Sequence, residues 1–451
     1  MKRIRIIGAG LAGCEAAWQC ARRGLEVELY EMRPVKSTPA HQTDKFAELV
    51  CSNSLKSESE NTAPWLLKEE MRRGGSLLLE IARETQVPAG HALAVDRETF
   101  AGRVTETLSR EPRIMIIREE VTRINEADDA NEITIVATGP LTSDALSQEI
   151  ARLSGSDHLY FYDSISPIVE ADSIDMSRVY FAARYGKGTA DYINCPLNKE
   201  EYERLCDALA AAQSVEGHDW ENLNYFEGCL PIEEIARRGR ETLRFGPMKP
   251  VGLDDPKTGK WPYAVVQLRS ENLRADSYNL VGFQNHLKYD EQARILRLIP
   301  GLENARFLRY GQIHRNTYIN APSLLTELLN MKQHPNVFFA GQISGVEGYT
   351  ESIAMGLLAG IQVARMTHGL PAVPPPRETA LGSLVRYICH AEAKNFQPAN
   401  ITFDLLPQLD EGTRRRVRDK KQRHRMVCEN ALRACSTWLE QVSIDAPVPR
   451  L

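Results

Sequence analysis

Two of the nine cysteines in this 451-residue chain stand where a thiol could act as a nucleophile. Cys229 lies in Tyr225-Phe-Glu-Gly228-Cys229-Leu-Pro231-Ile-Glu-Glu. Pro231 suits the first position of a helix whose first turn then carries Glu233 and Glu234. A thiol just ahead of a helix N-terminus is biased toward thiolate, its pKa falling from about 8.5 to about 7 or below. Gly228 leaves the approach open. The plain alternative is a small buried apolar side chain. Cys51 lies in Leu49-Val-Cys51-Ser-Asn-Ser54, a polar loop rather than a core pattern. Such thiols suit covalent activation of a substrate, thiol–disulfide reduction or redox sensing. Cys14, Cys20, Cys206, Cys389, Cys428 and Cys435 fall in helical patterns and read as structural, while Cys195, before Pro196, is open.

A co-reactant for such thiols must be held by other elements, and the opening of the chain carries the strongest pattern for one. Ile4, Ile6 and Ile7 form a short apolar run that reads as a buried strand. Gly8-Ala9-Gly10-Leu11-Ala12-Gly13 follows, with glycines spaced for a strand-to-helix turn that holds a pyrophosphate. The helix from Leu11 to Arg23 would aim its unpaired N–H groups at that anion, and Gly24 is placed to end it. A second strand, Glu26 to Tyr30, delivers Glu31 where a carboxylate can accept ribose hydroxyls. An ordinary βαβ turn without a ligand is the alternative. A strand from Glu132 running into Ala137-Thr-Gly139 suits a second backbone approach to the same cofactor. Far along the chain, Asn336-Val-Phe-Phe-Ala-Gly341 leads through Gly345 and Gly348 into a helix of small and apolar residues, Thr350 to Thr367. This is a second ligand-facing helix terminus, suited to the pyrimidine side of a flavin, or else a glycine-relieved packing contact. No second Gly-x-Gly-x-x-Gly turn occurs, which favours a resident FAD over NAD.

The length implies two or three domains. A Rossmann-like FAD-binding domain (1–176 and 310–370) is expected to be interrupted by a smaller α+β insertion (177–309). A C-terminal helical segment (371–451) should follow the stiff Pro371-Ala-Val-Pro-Pro-Pro376 linker. Val35 to Asn61 reads as a long loop and Pro64 to Arg83 as one helix. The composition, 43% hydrophobic and 25% charged, is that of a soluble globular chain, with no apolar run long enough to cross a membrane. Arg5, three glycines and Glu15 interrupt any signal-peptide core. Free thiols at irregular spacings fit a reducing compartment, so the cytoplasm is expected. No Cys/His cluster has zinc spacing, and no metal site is expected. The net charge of −5 argues against a protein that coats nucleic acid but leaves room for a local basic patch that docks one folded RNA. Basic turns occur at Arg184–Lys187 and Arg244–Lys249. Arg414, Arg418, Lys421 and Arg425 would share one face of a helix starting near Glu411. That face is either solvated or a contact to RNA phosphates.

Several of these stretches together resemble one family. They are Gly8-Ala-Gly-Leu-Ala-Gly13-Cys-Glu-Ala-Ala, Glu31-Met-Arg-Pro34, Leu49-Val-Cys51-Ser-Asn-Ser54, Arg184-Tyr-Gly-Lys-Gly-Thr-Ala190, Glu227-Gly-Cys229-Leu-Pro231, Phe245-Gly-Pro-Met-Lys-Pro250, His314-Arg-Asn-Thr-Tyr318 and Ala340 to Gly348. End to end the chain is similar to the folate- and FAD-dependent tRNA (uracil-5-)-methyltransferases (TrmFO), relatives of the MnmG flavoproteins. The resemblance implies that 5,10-methylenetetrahydrofolate supplies a one-carbon unit to C5 of a uridine in the T loop of tRNA. FAD would supply electrons and NADPH or NADH would recharge it. Cys229 matches the family cysteine that attacks uracil C6, and Cys51 matches a second cysteine assisting proton transfer or cofactor activation. The basic turns would serve folate carboxylates or RNA phosphates. The same chemistry on ribosomal RNA, a flavin oxidoreductase acting on a small molecule, and a non-catalytic flavin-binding partner protein are the rival readings.

Overall fold

The computed structural model describes residues 2–38, 40–125, 132–155, 159–186, 189–215 and 230–444. The first part runs β1 (Arg3–Ile7), α1 (Leu11–Ala21), β2 (Val27–Tyr30), β3 (Ser54–Ser57), α2 (Ala63–Arg73), α3 (Leu77–Glu84), β4 (Gln86–Val87), β5 (Ala92–Val95), α4 (Arg97–Arg110), β6 (Ile114–Ile117), β7 (Glu132–Val136), α5 (Asp144–Ser154) and β8 (Leu159–Ser164). The middle runs β9 (Ile168–Glu170), β10 (Tyr180–Ala182), β11 (Tyr192–Leu197), α6 (Lys199–Ala211), α7 (Ile232–Arg237), α8 (Thr242–Phe245), β12 (Ala264–Ser270), β13 (Ser277–Leu280), α9 (Tyr289–Leu296) and β14 (Phe307–Arg309). The last part is β15 (Ile313–Tyr318), α10 (Ala321–Leu324), β16 (Val337–Phe339), α11 (Tyr349–Thr367), α12 (Ala380–His390), α13 (Glu411–Arg416) and α14 (Lys420–Val442).

The apolar runs at Ile4–Ile7, Val27–Tyr30 and Ile133–Val136 pair in parallel in a sheet of order β16-β7-β1-β2-β6. All five residues of β7 are buried, as expected for a central strand covered on both faces. A strand from beyond residue 330 thus sits beside β7, so the two ends of the chain build one core. The middle forms a separate sheet of order β10-β11-β12-β13-β9-β14, antiparallel throughout, with its own apolar cluster around Tyr202, Leu268 and Leu280. Its first strand comes from Ile168–Glu170, ahead of Ser177. The two-stranded ribbon β8–β15 lies at the passage into and out of this sheet. No helix among the described residues is long and apolar enough to cross a membrane.

Three local expectations are corrected. Pro64–Arg83 is two helices, because the chain turns at Gly74-Gly75, where Gly75 takes φ +71°, and Ser76 then caps α3 through Leu79 N–H. The 35–61 stretch is not wholly loop, since β3 pairs with β5 in a three-stranded sheet. The helix expected from Glu411 breaks at Val417–Asp419, where the Asp419 carboxylate caps a new helix, α14. Arg414, Arg418, Lys421 and Arg425 therefore do not share the face of one helix.

The α1 helix lies against α11 at a separation only glycine permits. A Cβ on Gly356 would stand 2.2 Å from the Ala12 carbonyl oxygen, and one on Gly360 would stand 2.8 Å from that of Ala16. The last helices join the same core through Leu381, Leu384, Cys428 and Trp438, and Glu70 of α2 accepts the first two N–H groups of α12 at 2.7 and 2.9 Å.

Candidate active site

The opening turn separates its three glycines by what confines them. Gly8 has φ +101°, and a Cβ there would lie 2.7 Å from the Ala137 carbonyl oxygen. A Cβ on Gly13 would lie 1.8 Å from the Gly8 carbonyl oxygen. Gly10 is different, because a Cβ there would meet no protein atom within 4 Å. Packing accounts for the first and last glycines but not for the middle one, whose open side leaves room for a ligand to approach the backbone. Gly10 also stands at the N-cap of α1, and no side chain caps the first turn, from Leu11 to Gly13. These N–H groups fit a pyrophosphate.

Glu31 directly follows β2 and is buried, 6% exposed. Its carboxylate accepts the Ala9 N–H at 3.1 Å, the Arg33 N–H at 3.0 Å and the Arg33 Nε at 2.9 Å. Burial alone would raise its pKa, but the hydrogen bonds and charge of Arg33 outweigh burial and hold it below the usual carboxylate range. A pocket opens beside it, lined by Gly8, Gly10, Glu31, His41, Val121, Thr138 and Leu146 among others. Gly139 turns the chain at φ +63°, and the lining there comes from its neighbours Ala137, Thr138 and Leu141. This cradle fits the adenosine and pyrophosphate of a dinucleotide.

His41 lines the same pocket, its Nδ1 2.6 Å from Thr38 Oγ1. Burial, followed by the Arg33 charge, pushes its pKa down to about 4 from the ordinary 6.5. The folded state therefore binds less proton than the unfolded one, and stability falls as pH drops from about 6.5 toward about 4. The slope contributed by this one group approaches about 1.4 kcal/mol per pH unit. His41→Gln should flatten that limb in denaturant unfolding of flavin-free protein at pH 7, 5.5 and 4.5. An equally steep limb in the variant would show that His41 is not its source.

The second glycine element meets the first. Gly341 takes φ +81°, and a Cβ there would lie 2.7 Å from the Cβ of Ala12. Gly348 takes φ +109° just before Tyr349 opens α11, and a Cβ there would fall 2.5 Å from Glu351 Oε2 and 2.8 Å from Lys56 Nζ. Lys56 Nζ reaches Glu351 at 2.7 Å and Asn400 Oδ1 at 2.6 Å.

Cys51 belongs to this place. Its N–H donates to Tyr349 Oη at 2.7 Å, and the Ser52 N–H donates to the same oxygen at 3.2 Å. Arg97, at the start of α4, donates to the carbonyls of Leu49 at 2.7 Å and Cys51 at 3.3 Å, and its Nε lies 2.5 Å from Glu271 Oε2. Asn53 donates to the Val95 and Ser270 carbonyls at 3.1 and 2.9 Å, so the loop is pinned between the three-stranded sheet and the six-stranded antiparallel sheet. Arg309 of β14 adds a second guanidinium that interacts with Cys51, Tyr349 and Glu271; burial, then repulsion from Arg97, lowers its pKa. Burial, then the Cys51 charge, raises the Tyr349 hydroxyl well above its ordinary value. Two backbone N–H donors occupy the Tyr349 oxygen, leaving its own proton to donate.

Cys229 lies outside the described residues. The helix after it is α7, which Pro231 precedes as N-cap rather than opens as first residue. The Ile232 N–H donates to the Gln284 carbonyl at 2.7 Å, and the buried Glu233 accepts the His286 N–H at 2.9 Å. Three residues downstream of Cys229, the chain is thus fixed to the segment that follows β13. Among the basic turns, Lys187 is outside the described residues. Arg184 donates to the carbonyls of Lys249, at 3.0 Å, and Val251, which ties the two turns together. Arg244 stacks over Tyr263 at 4.0 Å and donates to its carbonyl. Among the described residues no disulfide joins the cysteines and no cluster of metal-binding side chains occurs. Tyr349, Arg97 and Arg309 carry no local sequence signal for the roles they take here.

A parallel sheet with this glycine turn, an acid ending its second strand and a second helix terminus converging on the first defines a Rossmann-type FAD-binding protein. Residues 3–371 match the family model GIDA, glucose inhibited division protein A. The chain is 79% identical over 437 residues to methylenetetrahydrofolate–tRNA-(uracil-5-)-methyltransferase TrmFO of Koribacter versatilis (strain Ellin345), covering 97% of this chain and 98% of that one. It is 65% identical over 442 residues to the protein of that name in Solibacter usitatus (strain Ellin6076), covering 97% and 98%. Aquifex aeolicus GidA (form II crystal) superposes with a TM-score of 0.72 at 16% identity, covering 98% of this chain and 73% of that one, a likeness of fold. The chain belongs to the GidA family and, within it, groups with the TrmFO proteins.

Proposed function

We propose that this protein is a methylenetetrahydrofolate–tRNA-(uracil-5-)-methyltransferase acting on a T-loop uridine, with FAD resident, NADPH or NADH as reductant and the cytoplasm as its compartment. The observation that carries this reading is the Cys51 loop. It is hydrogen-bonded to the first residue of α11, whose glycines pack on the same α1 helix that opens at the dinucleotide turn. A thiol, a phenol and two guanidiniums therefore gather at the end of the fold where the second glycine element meets the first. Gly8, Gly10, Gly13 and Glu31 would hold the nucleotide end of FAD, and Gly341 and Gly348 its other end. When bound, FAD supplies the electrons that bring the folate-borne carbon to the methyl level.

The chain's own residues act on the uracil. The Cys229 thiolate adds to C6, forming a C–S bond and placing enolate character on C5, which otherwise is a poor nucleophile. Once C5 carries the new carbon, a base removes its proton and the C6–S bond breaks, returning the thiolate. Cys51, next to Tyr349, is suited to take that proton or relay it through the phenol. Arg97 and Arg309 favour negative charge developing beside them.

The test is transfer of label from 5,10-[¹⁴C]methylenetetrahydrofolate to tRNA, with S-adenosylmethionine as the control donor. We expect label in tRNA from the folate alone. A T-arm hairpin bearing 5-fluorouridine should form a covalent adduct with the wild-type chain and none with Cys229→Ala. Adduct formation undiminished in Cys229→Ala, or label from S-adenosylmethionine, would refute the assignment.

A further inference from the structure

The chain is acidic overall, yet residues 411–425 hold eight lysines and arginines against only Glu411 and Asp419. Arg414, Arg415, Arg418, Lys420, Lys421 and Arg425 are all exposed. Asp419 is spent capping α14 through the Lys421 N–H at 2.9 Å. Arg415 pairs with Glu411, and Arg425 with Glu429 at 2.8 Å, both exposed contacts one helical turn apart that contribute little. Arg418, Lys420 and Lys421 make no ion pair among the described residues.

The placement of these charges works against the fold. Lys420 and Lys421 open α14, and the first turn carries no acid. Cations there oppose the helix dipole, where acids would stabilise. Folding does not account for this choice; an external polyanion does.

The surface also lies close to the candidate active site. The Phe403 ring stacks on His424 of α14 with centroids 3.8 Å apart. Three residues before Phe403, Asn400 accepts from Lys56, and the Ile401 N–H donates to Glu351 in the first turn of α11 at 3.1 Å. Three residues span at most about 11 Å. The basic run is therefore joined by a short tether to the end of α11 where Cys51 and Tyr349 meet.

We infer that the surface formed by the end of α13, the 417–419 break and the opening of α14 holds the sugar-phosphate backbone of the tRNA whose uridine is presented at the N-terminal end of α11. This rests on the reading under Proposed function. Break and capped restart spread the cations over two helix axes, a shape suited to a curved backbone rather than to a linear contact. Because the contacts are to phosphates, they position the RNA without selecting sequence.

The test uses the full chain carrying Arg418→Gln, Lys420→Gln, Lys421→Gln and Arg425→Gln together, with tRNA affinity measured by filter binding from 50 to 300 mM KCl. If three to four phosphate contacts are lost, the slope of log K against log salt should fall by roughly 2–4. Affinity at low salt should drop at least tenfold, with KM raised and kcat near wild type. The flavin spectrum and its reduction by NADPH without tRNA should be unchanged. Thermal stability should be equal or higher, since like charges at the α14 N-terminus are removed. Lys420→Arg with Lys421→Arg should keep wild-type affinity. Unchanged affinity and salt slope in the quadruple variant would overturn this surface alone. So would loss of binding to anionic phosphatidylglycerol vesicles with tRNA binding intact. A wild-type chain that neither binds nor methylates tRNA would instead overturn the parent reading and this surface with it.

Discussion

Gly13→Ala should yield a protein that is colourless and poorly folded, whereas Gly10→Ala should be as stable as the wild-type apoprotein and still fail to hold flavin. The contrast follows from what each added methyl would meet. At position 13 it would lie 1.8 Å from the Gly8 carbonyl oxygen, a backbone atom held in place because the Gly8 N–H bonds the Tyr30 carbonyl at 2.8 Å. Gly8 cannot retreat, as its own position is closed by Ala137. The helix would have to lift from the sheet and carry its close contact with α11 along with it. Overpacking commonly costs about 1–3 kcal/mol, and a clash between two backbone segments belongs at or beyond the upper end. Gly10 has φ −77° and open space, so alanine there is tolerated by the protein and excluded only by what lies against the backbone. Thermal unfolding of the stripped proteins and the flavin-to-protein absorbance ratio separate the two effects. A Gly10→Ala protein retaining full flavin would remove the cofactor assignment from this turn.

Arg97→Ala should lower stability by about 3–5 kcal/mol, the usual consequence of removing one partner of a buried ion pair. Glu271, 6% exposed, would keep the Asn279 hydrogen bond and the Arg309 charge but lose its ion pair, and the Cys51 loop would lose its two carbonyl anchors. Methyl transfer should fall about 100-fold, the scale expected when a reacting group shifts by about 1 Å. Flavin content should persist, because the glycine turn is untouched. Arg97→Ala with Glu271→Gln should recover part of the stability but not the transfer rate, since the uncompensated charge is gone while the loop is still loose. Denaturant unfolding and single-turnover transfer distinguish these. Equal stability of Arg97→Ala and wild type would mean the pair is not coupled as described.

Local chemistry made some of this legible from residue order alone. Gly8, Gly10, Gly13 and Glu31 read correctly as a turn because the strand, the glycines and the acid all lie within about thirty residues, and each constrains its neighbours directly. Gly341 and Gly348 were legible for the same reason. Helix ends at 74–75 and 417–419 were not, since two glycines can be tolerated inside a helix and an aspartate can either continue a helix or cap a new one. The β3–β5 pairing joins a Ser/Thr-rich loop to a segment some forty residues away, and no short-range pattern announces it. Tyr349 and Arg97 were missed for a deeper reason. Their work is done on backbone groups of the Cys51 loop, and a carbonyl or N–H looks the same at every position in a sequence. Cys51, by contrast, was visible as a thiol in a polar loop, but its neighbours were not.

The packing of α1 against α11 also dictates when the nucleotide site can exist. Leu11–Ala21 leaves the ribosome first, and the helix that covers it is not complete until Thr367 has been added. At roughly 5–20 residues per second that delay is on the order of 20–70 s, during which the apolar side of the first helix has no native cover. The two glycine elements therefore cannot come together until most of the chain has been made, and a nascent chain stalled before the second of them keeps that apolar side uncovered.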